Sequence, residues 1–250
     1  MIKVRDIFDK LREIAPLEYQ MGFDNSGFLL GRADSEVERV LLSLDVTEKV
    51  VDEAIELGAQ LIVSHHPLIF SPLKSIRDEK LLKLAENGIS VISMHTNLDI
   101  AKGGVNDVLL MLLGATGDEV LDDEGCGRVG YLPESLELRS FLEICKMRLS
   151  SKGLRYYDAA KPVYKIAVMG GAGGDCVQRA HELGCDTYVT SDIKYNRFLE
   201  AEELGINLID ADHFCTENPV MPVLCDLLSR SFPQIDFLVS LTHGQVVSFF

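Results

Sequence analysis

Apolar residues in this chain fall into short runs separated by amphipathic stretches. Val40-Leu41-Leu42-Ser43-Leu44, Leu61-Ile62-Val63, Ile89-Ser90-Val91-Ile92, Tyr164-Lys165-Ile166-Ala167-Val168 and Ile206-Asn207-Leu208-Ile209 are brief and rich in branched side chains, the mark of buried strands. Between them, residues 51–58, 84–88, 177–184 and 201–205 carry apolar positions at three- and four-residue spacing and close on glycine, which predicts helices with glycine C-caps. Pro67 stops the strand that starts at Leu61. Met1-Ile2-Lys3-Val4-Arg5-Asp6-Ile7-Phe8 reads as the start of an amphipathic helix.

The pattern is written twice. Residues 51–60 lead into Leu61-Ile62-Val63-Ser64-His65-His66, and 126 positions later (Val51 to Val177) residues 177–186 lead into Thr187-Tyr188-Val189-Thr190-Ser191-Asp192. Each half runs strand, helix, strand, helix, strand. That alternation predicts an α/β fold of two related three-layer lobes arising from an internal duplication, with mainly parallel sheets and right-handed crossovers. Residues 114–130 are glycine- and acid-rich and mark the boundary, giving a first lobe of residues 1–124 and a second of 125–250. The last extended segment, at 236–240 or 245–250, is open to either lobe.

At 250 residues the chain is long enough to bury a full core without covalent staples. No apolar run approaches the roughly 20 residues of a membrane span, and the N-terminus has no signal-peptide apolar region. The six cysteines form no C-x-x-C pair, so reduced thiols and a cytoplasmic location are expected. A net charge of −15 disfavours nucleic acid as a partner. It also gives bound divalent cations a use, since they invert the local field for an anionic substrate.

The candidate chemistry sits at strand ends, where open α/β sheets keep their ligands. His65 and His66 are adjacent at the end of one predicted strand. His95-x-x-x-Asp99 and His213-x-x-x-Glu217 follow the third strand of each half, at a common offset of 118 (His95 to His213). Imidazoles and carboxylates converging from separate strand ends point to a metal site holding two ions, in the cleft between the lobes. Because helices are predicted to open later, at Gly103-Gly104-Val105 and Asn218-Pro219, turn geometry is the expected frame for the four-residue spacing. Cys215 reads as a small buried hydrophobe rather than a soft ligand. Gly170-Gly171-Ala172-Gly173-Gly174 fits a phosphate cradle or a tight strand-to-helix turn equally well. His181 and His243 receive no role.

With these residues in view, the chain resembles the NIF-three-like dinuclear metal centre family, whose members are labelled GTP cyclohydrolase I type 2 homologues. The resemblance is carried by Asp24-Asn25-Ser26-Gly27-Phe28-Leu29-Leu30-Gly31, Ser64-His65-His66-Pro67, His95-Thr96-Asn97-Leu98-Asp99, Gly127-Arg128-Val129-Gly130, Gly170-Gly171-Ala172-Gly173 and His213-Phe214-Cys215-Thr216-Glu217. The chain looks like the short form, without the domain longer members insert between the halves. The resemblance implies metal ligands His65, His66, Asp99, His213 and Glu217, two divalent ions with carboxylate bridging, and a ring-shaped homohexamer whose sites face an internal cavity. Ser191, Asn196 and Asp212 depart from the family pattern, and are expected at the wall of the site, where they bear on substrate choice.

Two functions follow. In the first, the protein is a metal-dependent hydrolase acting on a nucleotide or related small molecule, GTP by the family label, with His95 as the catalytic proton carrier. The alternative for His95 is that it orients Asp99. In the second, the protein is a non-catalytic metal-binding scaffold or adaptor whose ring binds a protein partner. Five ligands spread over two ions leave positions open, which favours chemistry. Zinc, iron, manganese and nickel all suit the donor set.

Overall fold

The computed structural model describes residues 1–250, which form two compact units. Unit 1 comprises Met1–Lys102 and Met221–Gly244, and unit 2 comprises Gly103–Val220 and Gln245–Phe250. In chain order, unit 1 begins with α1 (Val4–Ile14), β1 (Gly27–Leu30), β2 (Arg39–Ser43), α2 (Glu48–Leu57), β3 (Leu61–Ser64), α3 (Glu79–Glu86), β4 (Ser90–Ser93) and α4 (Thr96–Ile100). Unit 2 follows with α5 (Val105–Leu112), β5 (Thr116–Val120), β6 (Arg128–Leu136), α6 (Leu138–Arg148), β7 (Arg155–Tyr157), β8 (Val163–Val168), α7 (Val177–Glu182), β9 (Thr187–Thr190), α8 (Tyr195–Leu204), β10 (Asn207–Asp210) and α9 (His213–Glu217). The chain returns to unit 1 through α10 (Val220–Ser231) and β11 (Asp236–Val239).

The unit 1 sheet has the order β1-β4-β3-β2-β11, parallel throughout except for β1, which runs antiparallel on β4. Its strands are buried on both faces, as continuous branched sequences require. Leu41, Ile62 and Val91 pack beneath Val50, Val51 and Ala54 of α2 and Leu84 of α3. Thr47 caps α2, its hydroxyl accepting from the Val50 amide, and Gly58 closes the helix in the left-handed region at φ 65°.

The unit 2 sheet has the order β5-β6-β8-β9-β10-β7. Here only β8, β9 and β10 are parallel, while β5, β6 and β7 pair antiparallel, so this sheet is mixed rather than mainly parallel. The parallel strands are those of the written repeat, and the antiparallel ones are additions to it. The glycine- and acid-rich stretch at 114–130 lies inside unit 2. It holds β5, which pairs with β6 through Thr116↔Tyr131, and Leu109 and Leu110 of the preceding α5 pack in the same core as Ile166, Val168 and Phe141. The division therefore falls at Gly103.

Repeat-related positions do the same work in each unit. The Gln60 side chain accepts from the Glu38 and Arg39 amides, and the Asp186 side chain accepts from the Tyr164 and Lys165 amides. In both places an acceptor at a helix-to-strand junction satisfies two consecutive amide donors at the start of the neighbouring strand. No helix is long and apolar enough to cross a membrane.

Candidate metal centre

In unit 1, β3 and β4 are adjacent and parallel with Ser64 opposite Ser93, so His65-His66 and Met94-His95 leave the sheet side by side. The strand ends are locked by a directed chain. The Leu68 amide donates to Ser93 Oγ at 3.4 Å, and Ser64 Oγ donates to the His66 carbonyl at 2.8 Å. With its only proton committed there, Ser64 must accept from Ser93, 2.8 Å away.

Each imidazole is then held through Nδ1. His65 is buried, and its Nδ1 lies 2.8 Å from the Met94 carbonyl, which can only accept. His66 Nδ1 lies 2.7 Å from Asp45 Oδ1, and His95 Nδ1 lies 2.7 Å from Asp24 Oδ1. In the neutral rings the proton sits on Nδ1, leaving Nε2 as a lone-pair donor; metal-ligating histidines are oriented in this way. The three rings gather at centroid distances of 5.0, 5.2 and 5.5 Å. Their ligand nitrogens lie within 4.8 Å of one another, so this cluster could hold a metal ion. Asp99 on α4 brings Oδ1 to 3.6 Å from His65 Nε2.

The supporting carboxylates are held ionised. Burial alone would raise Asp24, but hydrogen bonds from His95, Thr96 and Ser26 outweigh it and keep the carboxyl far below the usual range. Burial would likewise raise Asp45, and bonds from His243 and His66 hold it far below its ordinary value.

In unit 2, α9 presents His213 and Glu217 on one helical face, with Nε2 and Oε2 3.0 Å apart. His213 Nδ1 lies 2.8 Å from Asp192 Oδ2 at the end of β9. Burial disfavours the charged ring, but Glu217 and then Asp192 raise His213 to about 9 in the metal-free protein. Glu217 is buried beneath the β8–α7 loop. A Cβ on Gly171 would fall 2.1 Å from Glu217 Oε1, and one on Gly170 would fall 2.6 Å from Val105 Cγ1. The glycine cluster therefore allows the backbone to close over a carboxylate. The Gly171 amide donates to Thr216 Oγ1 at 3.0 Å, and the Gly171 carbonyl accepts from the Ser191 hydroxyl at 2.5 Å.

Several expectations change. Both His-x-x-x-acid units lie on short helices rather than turns: His95 is the N-cap of α4, and His213 opens α9. His95 directs its ring to Asp24, not to Asp99. Ser191 is fully buried and braces the Gly171 carbonyl instead of lining a wall. Asp212 sits at φ 74°, and its side chain caps α9 by accepting from the Cys215 amide at 3.2 Å. Asn196 is exposed on α8. Cys215 packs in the unit 2 core, and burial pushes its thiol up to about 12.

Asp24, Asp45, Asp192 and His243 were not assigned from sequence, whereas Gly171 stood in the glycine cluster read as a phosphate cradle or a tight turn. Only the position of Asp24 in a recognisable motif, and of Asp45 and Asp192 after strands, hinted at them.

A family model described as Duf34/NIF3 (NGG1p interacting factor 3) matches residues 2–245. A Clostridium perfringens protein named GTP cyclohydrolase 1 type 2 homolog is 35% identical, with 96% of each chain covered. Among solved structures, Staphylococcus aureus protein SA1388 superposes with a TM-score of 0.92 at 27% identity, covering 100% of this chain and 99% of that one. Reduced HcgD from Methanocaldococcus jannaschii superposes with a TM-score of 0.85 at 31% identity, covering 95% and 97%.

Proposed function

The chain belongs to the Duf34/NIF3 family, and from that premise we propose that it is a metal-dependent hydrolase holding two divalent ions through His65, His66, Asp99, His213 and Glu217. The observation that carries the reading is shared by all three of those histidines. Each has Nδ1 held by a fixed oxygen acceptor, on Met94, Asp45 or Asp192, which orients Nε2 for a metal; His213 would give up its Nε2 proton, shared with Glu217, on binding. The donor set of imidazole and carboxylate suits zinc, iron, manganese or nickel.

When bound, a pair of such ions supplies Lewis-acid polarisation of the bond to be hydrolysed. The chain's own residues supply position and proton handling. Asp45, Asp192 and the Met94 carbonyl fix ring orientation, and the glycine loop over Glu217 keeps water from that carboxylate. His95, tethered to Asp24 and standing beside His65 and His66, carries the proton at Nε2 to or from the substrate. A cavity of about 400 Å³ lined by Asp45, Thr47, His66, Leu68 and Lys80 leaves room for a small molecule beside His66. A nucleotide is the substrate class we favour, because the Clostridium perfringens relative carries a GTP cyclohydrolase name. Assembly as a homohexamer is part of the same proposal.

The scaffold reading keeps one observation in its favour. Phe23, Phe70, Leu73 and Ile76 are more than half or about half exposed, as a partner-binding surface would be. Metal analysis, followed by incubation of the loaded protein with GTP and a nucleotide panel, separates the two. Metal-dependent product that disappears in Glu217→Ala supports the hydrolase. Two bound equivalents with an inert panel and captured protein partners support the scaffold. Protein that takes up no metal after reconstitution refutes both.

A further inference from the structure

His243 lies outside every motif, near the end of the chain, yet it reaches the candidate metal centre through one intermediary. Its Nε2 stands 2.8 Å from Asp45 Oδ2, while Asp45 Oδ1 stands 2.7 Å from His66 Nδ1. The carboxylate is thus gripped from both sides by imidazoles, one of which is a proposed metal ligand. The segment bearing His243 is itself anchored. The Ser240 amide donates to the Leu42 carbonyl at 2.8 Å, extending the β11–β2 pairing by one residue. Glu53 on α2 then accepts from Ser240 Oγ at 2.5 Å, the Leu241 amide at 2.9 Å and Thr242 Oγ1 at 2.7 Å. Residues 240–243 form a strap across the C-terminal edge of β2, hooked at Glu53 and again at Asp45.

We propose that His243 is a positioning residue for the metal centre: through Asp45 it fixes the orientation of His66, so that seating of the strap and occupancy of the metal site are coupled. This rests on the reading of His66 as a metal ligand given above. The physical reason is rotational. A carboxylate with one partner can swing about its Cβ–Cγ bond, and the ring it holds swings with it. A second donor on the other oxygen removes that freedom and presents His66 Nε2 in a single direction before metal arrives. Coupling of binding free energies is reciprocal, so metal that selects the fixed ring must also stabilise the closed strap. No bond is made or broken in this role, and no change of protonation is required of His243.

The test uses the full-length protein and Zn2+ alone, with affinity measured by competition against a chromophoric chelator. His243→Ala is expected to weaken Zn2+ binding at least tenfold, within the range for residues that orient ligands. His243→Gln, whose amide nitrogen can occupy the place of Nε2 and still donate to Asp45, is expected to recover most of that loss. A residue that merely pinned the strap would lower the thermal midpoint of the metal-free protein without this pattern of rescue. Hydrogen exchange on the unmutated protein gives a second reading that does not depend on a variant folding: Zn2+ should slow exchange of the Leu241 and Thr242 amides. His243→Ala with wild-type Zn2+ affinity overturns the proposal, and so does strap exchange that is indifferent to Zn2+. Wild-type protein that binds no Zn2+ overturns the parent reading and this one with it.

Discussion

Gly171→Ala is the most direct probe of the candidate centre, because the structure supplies its own control. Gly171 has φ +67°, and a Cβ there would lie 2.1 Å from Glu217 Oε1 and 3.3 Å from His213 Cε1. Gly58 has nearly the same backbone, φ +65°, with nothing within 4 Å of an added Cβ. Both substitutions incur the left-handed penalty of about 1–2 kcal/mol, offset by about 0.4–1 kcal/mol from the stiffer unfolded chain. Gly58→Ala should therefore cost at most about 1.6 kcal/mol, a fall of no more than about 6 °C in Tm for a protein of this size. Gly171→Ala must in addition displace a buried carboxylate by more than an ångström, since a real Cβ never stands 2.1 Å from an oxygen. A moved Glu217 also loses its 3.0 Å contact with His213. We expect about 2–3 kcal/mol of further destabilisation in the metal-free protein, the range for disturbing a buried charged group, and at least a tenfold loss of Zn2+ affinity. Chelator competition and thermal unfolding in excess chelator measure the two effects separately. Gly171→Ala that unfolds with Gly58→Ala and binds Zn2+ like wild type would show that the loop does not close on Glu217.

Three further outcomes are expected. His65→Ala with His66→Ala should abolish divalent metal uptake, read by elemental analysis, while the far-ultraviolet spectrum stays native, because β3 is secured by Ser64 and Ser93 independently of the rings. The second concerns pH. Burial would raise Glu53, but the Leu241 amide and the Ser240 and Thr242 hydroxyls pull it below the usual glutamate value. A depressed carboxyl stabilises above its unfolded pKa and loses that contribution as pH falls through the folded value. The stability gap between wild type and Glu53→Gln, on the order of 1 kcal/mol for this partly exposed group, should be complete at pH 7 and close below about pH 4.5 in urea titrations. Third, Cys215, its thiol raised to about 12 by burial, should resist iodoacetamide at pH 8 in the folded protein and react only on unfolding, followed by mass spectrometry. Modification of native protein at the rate of a free thiol would contradict its place in the core.

Much of the fold could be read from the chain because the repeat is local. Residues 51–64 and 177–190 each carry a helix, a glycine after it and the next strand within a short window, and Gly58 and Gly184 do adopt positive φ. β1, β5, β6 and β7 left weaker traces. They pair antiparallel, β1 and β7 with strands far along the chain, and every residue of β5 is exposed, which erases the apolar pattern that betrays a strand. The histidines and carboxylates proposed as ligands stood out by type and spacing, whereas the groups that orient them did not. Asp24 precedes His95 by 71 positions, and Asp45 and His243 are 198 apart, so nothing in a local window links them. The frame of the four-residue units was misjudged for a related reason. A five-residue helix such as α4 or α9 is too short to declare itself by periodicity, and tertiary contacts rather than propensity hold it.

The late return of β11 to the β2 edge bears on how the molecule is made. β2 lies between β3 and β11, and its second neighbour is translated only after all of residues 103–220. During synthesis the backbone donors and acceptors of Val40 and Leu42 on that side stay unsatisfied while the intervening unit emerges as one nearly continuous stretch. Truncation before residue 236 would leave a bare apolar edge of the kind that recruits other chains, so nascent protein shortened at its tail should aggregate through its first half.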